Sequence, residues 1–417
     1  EGAQTPDFLA ALAREAPPLA RIEAIEVEPR VWLGDADFVI RESTPPPAGG
    51  ATRARIPPDA AVCAACLDDL FDAASRFHAY PFVTCTHCGP RFTLTRALPY
   101  DRAQTSMASF PLCPACARAY RDPLDRRFHA EPVACPACGP RLSHPVAAIV
   151  AALQAGRIVA VKGIGGYHLM CDARDGRVVA ELRRRKGRDA KPFAAMVANE
   201  ASLHRFAAPT PPEIALATSA AAPIVLMASR AALPDVVAPR LTRIGLVLPY
   251  APLHHLLFAE WEPARPRAAA SDVALVATSA NPGGPPLIVD AEEARVRLAG
   301  IADLIVSHDR AIVTRAADSV VQAIDGAPAF IRRARGYVPE PILLAEDGPC
   351  VLACGAHLKA TVTVTRGREA FVSQHVGDLS DADALRFYRE TTAHLLALVG
   401  ARPEAVVCDL HPDYLST

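Results

Sequence analysis

At 417 residues, 51% hydrophobic and 21% charged, the chain is long enough for several packed domains and too apolar for a disordered one. A net charge of −1 provides no global field to attract nucleic acid or an anionic membrane, so neither is an expected partner. No apolar run reaches the roughly eighteen residues of a membrane span and no signal-peptide pattern is recognised, and Cys-x-x-Cys pairs of the kind kept reduced point to the cytoplasm.

Residues 1–45 read as helix, then strands. Phe8, Leu9, Leu12 and Ala13 have helical spacing, and Pro17-Pro18 ends that helix. Residues 22–27 and 38–41 alternate as strands do, and 45–51 is a Pro/Gly linker. So short a segment has too few side chains for an ordinary independent core.

Residues 56–145 carry the strongest local signal. Eight of the twelve cysteines form four Cys-x-x-Cys pairs: Cys63, Cys66, Cys85 and Cys88, then Cys113, Cys116, Cys135 and Cys138, each fifty residues further on. Both units have an inner gap of eighteen residues, and both approach their closing Cys-x-x-Cys pair through Arg-Phe-His-Ala, Arg76 to Ala79 and Arg127 to Ala130. Two such pairs close a tetrahedral four-cysteine shell, so the tandem predicts two structural zinc ions rather than disulfides or a redox pair. The spacing leaves the pairing open, sequential or interleaved. A nucleic-acid finger is the competing reading. Nine arginines and no lysine against seven acids over 60–145, with eight thiolates to add, leave no basic stripe for phosphates.

Next comes the largest domain, 146–340. A helix over 147–155 ends at Gly156, a strand over 157–161 runs into the glycine turn Lys162-Gly-Ile-Gly-Gly-Tyr-His168, and apolar strands follow at 223–227, 274–278 and 304–306. Helical stretches lie between them, which makes this an α/β domain. From 349 to 417 a β-rich unit follows, with strands at 351–354, 360–365 and 370–373, a helix over 382–399 and a buried-looking strand at 405–409. That order is how an actin-like ATPase lobe opens. The start at Glu1 rather than Met, and the stop just after a strand, predict a piece of a longer protein.

The densest cationic stretch is Leu182-Arg-Arg-Arg-Lys-Gly-Arg-Asp-Ala-Lys-Pro-Phe193. Alone it reads equally as a solvated helix end, with cations at the C-terminal dipole. Yet Gly187 breaks the helix and Lys191 leads straight into a strand, which sets Lys186, Arg188 and Lys191 at the mouth of a sheet, where α/β ligands bind. Fixed cations there can hold a triphosphate. A second candidate is the turn Thr278-Ser279-Ala-Asn281-Pro-Gly-Gly284, whose hydroxyl and amide suit a small polar substrate. A third is Arg243-Ile-Gly-Leu-Val-Leu-Pro-Tyr250 with His254-His255, whose rings diverge on a helix and suit packing better than one shared metal.

Lys186-Gly-Arg188 with Lys191-Pro-Phe193, and Ser279-Ala-Asn281, resemble the KxR and SxN motifs of the YrdC family, which makes carbamoyl-type adenylates from ATP. With the zinc tandem upstream, Lys162-Gly-Ile-Gly-Gly-Tyr-His-Leu169, Leu248-Pro-Tyr-Ala-Pro-Leu-His-His255 and Arg332-Arg-Ala-Arg-Gly336, nearly the whole chain is similar to the HypF family of hydrogenase maturation carbamoyltransferases. The resemblance implies a multidomain α/β protein. Its zinc-finger tandem and YrdC-like domain would be flanked by the end of an acylphosphatase-like (α+β) domain at 1–45 and the start of a Kae/TsaD-like domain at 349–417. It implies that carbamate derived from carbamoyl phosphate is adenylated by ATP, with Mg²⁺ expected, and that the carbamoyl group passes to the C-terminal Cys of the acceptor protein HypE as a cyanide precursor. Lys162, Lys186 and Arg188 are then the catalytic candidates, and Lys191, Ser279, Asn281, Arg243 and Arg332 the substrate- or ATP-binding ones. A threonylcarbamoyl-AMP synthase for tRNA modification is the alternative with the same adenylating fold.

Overall fold

The computed structural model describes residues 5–16, 19–20, 22, 24–29, 55–281 and 285–417. Residues Glu1–Ala51 form one compact unit and Thr52–Thr417 a second. In the first, α1 (Thr5–Arg14) has Asp7 in its first turn and Arg14 in its last, each complementing the helix dipole. The strand expected at 22–27 is not formed among the described residues there: a strand needs a hydrogen-bonded neighbour, and the second expected strand at 38–41 lies outside the described residues, as does the linker at 45–51.

The second unit begins with the cysteine module, whose helices are α2 (Ala64–Phe71) and α3 (Pro114–Arg121). Its core is small: Leu70, Phe77, Tyr80, Phe82, Leu94 and Met107 gathered around the cysteines.

After it come α4 (Val146–Gln154), β1 (Val159–Lys162), β2 (Tyr167–Asp172), α5 (Gly176–Lys186), β3 (Ala194–Val197), α6 (Glu200–Phe206), β4 (Ala207–Ala208), α7 (Pro211–Thr218), β5 (Ile224–Ser229), β6 (Arg243–Val247), α8 (Pro252–Trp261), β7 (Ala274–Ser279), α9 (Ala291–Arg297), β8 (Leu304–Val306), β9 (Val320–Ile324) and β10 (Ala327–Arg332). They build one mixed sheet in the order β10-β9-β5-β6-β3-β7-β2-β1-β8, with β4 paired to β5. Both faces of its central strands are covered, so these read as nearly continuous apolar runs, whereas β10 at the edge is largely exposed. Ala160, Leu169 and Val276 meet Val179 and Leu182 of α5 on one face. Val159, Val161, Met170 and Leu275 meet Ile149 and Leu153 of α4 and Leu257 of α8 on the other. The glycine turn is shorter than the sequence suggests, because β2 already takes in Tyr167 and His168. Gly165 sits where a Cβ would lie 2.1 Å from the Ala316 carbonyl oxygen, so only glycine permits this close backbone crossing.

The last segment holds β11 (Ile342–Leu343), β12 (Val351–Gly355), β13 (Thr361–Arg366), β14 (Glu369–Val372), α10 (Ala382–Val399) and β15 (Ala405–Cys408). The sheet order is β11-β14-β13-β12-β15. Phe387, Tyr388 and Leu395 of α10 pack on Val362, Val364 and Phe371. The final strand corrects the expectation of burial: β15 is exposed along its length, since it pairs only with β12 at the sheet edge and lies beyond the cover of α10.

Candidate metal centres and anion site

Cys63 and Cys113 are the N-caps of α2 and α3, which puts Cys66 and Cys116 in the first helical turns. Unpaired amides and the positive helix end favour a thiolate there. The sulfurs of Cys63, Cys66, Cys85 and Cys88 lie within 4.8 Å of one another, and so do those of Cys113, Cys116, Cys135 and Cys138. Individual separations are 3.6 Å (Cys63–Cys85), 3.8 Å (Cys85–Cys88), 3.7 Å (Cys113–Cys135) and 3.9 Å (Cys135–Cys138). A tetrahedron with Zn–S bonds of about 2.3 Å has sulfur edges of about 3.8 Å, whereas a disulfide would need about 2.05 Å. The geometry therefore fits two four-thiolate zinc shells, formed sequentially and not interleaved, and it rejects disulfide pairing within either group.

The anion site grows from the end of α5. Asp175 caps its start, and Gly187 ends it in the left-handed conformation at φ 59° that side-chain-bearing residues avoid. Buried Arg183 fixes the bend that follows, donating from Nε to Val236 O at 2.6 Å and from Nη1 to the carbonyls of Arg188 (2.9 Å) and Lys191 (3.1 Å). This locked bend aims Lys186 at the end of β7. Its ammonium donates to Ser279 O at 2.7 Å, to Asn281 Oδ1 at 3.1 Å and to Asn281 O. The turn is braced in its own right: Ser279 Oγ donates to Asn281 Oδ1 at 2.7 Å and Asn281 Nδ2 to Pro285 O at 2.5 Å. Arg188 donates to Thr278 Oγ1 at 3.0 Å and lies over the Phe193 ring at 4.7 Å. The cationic bend and the serine–asparagine turn, read separately from the sequence, are thus in direct contact.

These cations crowd one another. Burial, then the charges of Arg188 and Lys191, pull Lys186 down to about 7, against the three carbonyl-type acceptors that favour its charged form. Burial and then the Arg332 and Arg188 guanidiniums bring Lys191 down to about 8, although that side chain is largely exposed. Arg188 falls to about 10, through burial and then the charges of Arg183 and Arg332. Arg332, at the end of β10, thus joins the same electrostatic cluster. A set of like charges that depress one another is stabilised by an anion between them.

Lys162 stands at the same sheet end. It pairs with Tyr167 in β2, and the next residue, His168, pairs with Ser279 in β7. Two strand spacings put its Cα about 10 Å from Ser279. Its buried ammonium donates to His308 O at 3.1 Å, and burial, then Arg310, lower its pKa. Arg243 is engaged elsewhere: it pairs with Glu213 of α7 at 2.6 Å and donates to Leu226 O at 2.6 Å, a brace along the β5–β6 edge. His254 is core, edge-on to Tyr250 at 4.6 Å and held neutral by burial, which pulls it down to about 3.

Sequence reasoning missed a buried triad beneath this end of the sheet. Asp318 accepts from His168 Nε2 at 3.0 Å and from Arg335 Nε at 2.7 Å, and Arg335 covers the Tyr250 ring at 3.6 Å. His168 and Arg335 lay inside motifs noted above, but Asp318 has no local pattern; only the fold brings it across. Replacing Asp318 by Ala should cost about 3–5 kcal/mol in urea unfolding, because it strands the 1%-exposed Arg335 guanidinium. Asp318→Asn should recover part of that.

Fold and site together define a four-cysteine finger tandem joined to a YrdC-like α/β domain and a Kae1-like segment. Family models match accordingly: the HypF finger over 62–95 and 112–144, the Sua5/YciO/YrdC model, described as telomere recombination, over 151–334, and the HypF Kae1-like domain over 346–417. The chain belongs to the HypF family. It is 58% identical to carbamoyltransferase HypF of Rhizobium leguminosarum bv. viciae over all of this chain and 54% of that protein, and 50% identical to HypF2 of Cupriavidus necator over 97% of this chain and 53% of that protein. It therefore spans about half the length of the curated relatives it matches. A crystal structure of full-length HypF in phosphate- and nucleotide-bound form superposes with a TM-score of 0.93 at 40% identity, covering 100% of this chain and 55% of that one. HypF of T. kodakarensis superposes at 0.89 and 39% identity, covering 100% and 54%. Among the described residues no helix is long and apolar enough to cross a membrane.

Proposed function

We propose that this chain carries the ATP-dependent activation of carbamate within a hydrogenase maturation carbamoyltransferase. The observation that carries the reading is the contact of Lys186 and Arg188 with the Thr278–Asn281 turn, which concentrates cations at the open end of a parallel-and-antiparallel sheet. ATP would enter as its magnesium complex, with the metal supplying further charge neutralisation beside the cations of this site. A carbamate oxygen attacks the α-phosphorus, the bond to the β-phosphate oxygen breaks, and pyrophosphate leaves with the electron pair. Carbamate is already anionic, so alignment and charge neutralisation do more here than a base. Lys186, Arg188, Lys191 and Arg332 neutralise the phosphates, Ser279 and Asn281 fix the turn that holds them, and Lys162 sits within reach of the carbamate. In the whole protein the carbamoyl group then passes to a cysteine thiol of HypE, releasing AMP.

The test is carbamate-dependent exchange of labelled pyrophosphate into ATP. Exchange should require carbamate, supplied as bicarbonate with ammonia, and should not respond to threonine; threonine-dependent exchange would replace this reading with the tRNA-modifying one. The pH dependence has a definite sign. Lys186 and Lys191, at about 7 and about 8, lose charge as pH rises, so KM for ATP should climb as pH passes through that range. Bound triphosphate raises both values, which makes the climb shallower at saturating ATP.

A further inference from the structure

The two fingers bond to each other's sulfur. Arg76 lies in the gap between Cys66 and Cys85, yet its Nη1 donates to Cys116 Sγ of the second finger at 2.9 Å. Fifty residues on, Arg126 lies between Cys116 and Cys135, and its Nη1 donates to Cys66 Sγ of the first finger at 2.9 Å. The exchange follows the fifty-residue offset of the cysteines, one residue out of step with the Arg-Phe-His-Ala word, and the backbone keeps the same offset: Ala79 and His129 share the left-handed conformation, at φ 53° and 49°. The grip on Arg126 is the stronger of the two. Nη2 also donates to Ala65 O at 3.0 Å and pairs with Asp69, while its carbonyl accepts from Thr86 Oγ1 at 3.0 Å and Thr86 N at 3.3 Å. The position equivalent to Thr86 is Pro136, which has no amide to offer Arg76.

We propose that Arg76 and Arg126 are positioning residues that couple the two zinc centres, each finger supplying the cation that steadies a thiolate of the other. A four-thiolate zinc shell carries two negative charges, and a guanidinium donor on one sulfur offsets part of that charge while fixing the ligand's direction. Each arginine sits on the loop that its own finger closes, between that finger's two Cys-x-x-Cys pairs, and reaches across to the other finger. Metal in one finger therefore orders the donor that the other needs, and the coupling is reciprocal.

Zinc is withdrawn from the intact 417-residue chain with a graded chelator under reducing conditions, zinc occupancy is read by native mass spectrometry, and freed thiols are alkylated and mapped. The parent should lose both ions together, with the one-zinc species below its statistical share. Arg126→Gln should weaken the Cys63/Cys66/Cys85/Cys88 centre by about 10–100-fold and expose those four thiols first. Arg76→Gln should expose Cys113, Cys116, Cys135 and Cys138 first, with the smaller effect. Arg126→Lys, which keeps charge and one donor, should fall between parent and Gln variant, and it serves if the Gln variant does not fold. Statistical loading in the parent, or first release from the mutated arginine's own finger, or unchanged affinity in the variants, overturns the proposal.

Discussion

Lys186→Met should lower carbamate-dependent ATP–pyrophosphate exchange by about 10²–10³-fold, the usual loss for one fixed donor aimed at developing charge. Methionine keeps most of the buried stem at the end of α5, so the loss reports the ammonium. A second measurement separates this from damage to the fold. Lys186 is only 4% exposed, and its folded value near 7 lies below the unfolded value of about 10.4. Between those values the unfolded chain holds a proton that the folded one has released, so the parent gains stability as pH rises from about 7 toward about 10. The methionine variant should lack that rise and should be at least as stable near neutral pH. A variant that keeps its exchange rate removes Lys186 from the chemistry. One that loses rate and stability together makes it a structural brace for the Ser279–Asn281 turn.

What the sequence reveals of this arrangement follows from the range of each interaction. The cysteine repeat was fully legible in its ligands, because Cys-x-x-Cys places two sulfurs on one metal by local geometry alone. The sequential pairing was not, since spacing permits either closure and the packing of Phe77, Tyr80 and Phe82 makes the choice. Lys186 and Ser279 were legible as a pair of turns: Gly187 marks the helix stop, and Thr278 sits at the end of an apolar strand. Their contact, 93 residues apart, comes from β3 and β7 lying side by side. The sequence signal of Arg243 is a motif, and its partner Glu213, set by the packing of α7 on β5, has no local pattern that announces it. β15 was read as buried from its apolar residues, and sequence cannot tell a central strand from an edge one when both are Val-rich.

Stripping zinc from both centres should unfold the 56–145 module and also silence the α/β domain beside it. The module's apolar core is a handful of side chains, so metal ligation supplies much of its folding energy, of the order of 10–16 kcal/mol per structural zinc. It is also sewn to its neighbour through backbone bonds: Ala61 N to Ala220 O (2.7 Å), Val62 N to Tyr250 O (3.0 Å) and Val313 N to Thr93 O (2.8 Å). Hydrogen exchange after chelation should therefore speed up at Val62 and Val313 as well as in α2 and α3, while β3 and β7 in the sheet centre stay protected. The functional consequence runs through Lys162. Phe82 stands edge-on to His308 at 5.1 Å and under the Arg310 guanidinium at 5.1 Å, and with Pro81 and Pro90 it walls a small cavity of about 30 Å³ that Lys162 and His308 also line. Loss of that wall lets water reach the ammonium whose carbonyl partner is His308, and the lysine's burial, the main cause of its lowered pKa, disappears. Exchange activity should fall with zinc occupancy and return when zinc is restored. Full activity in metal-free protein would mean that the fingers and the sheet fold independently, and that the wall around Lys162 contributes nothing to the chemistry.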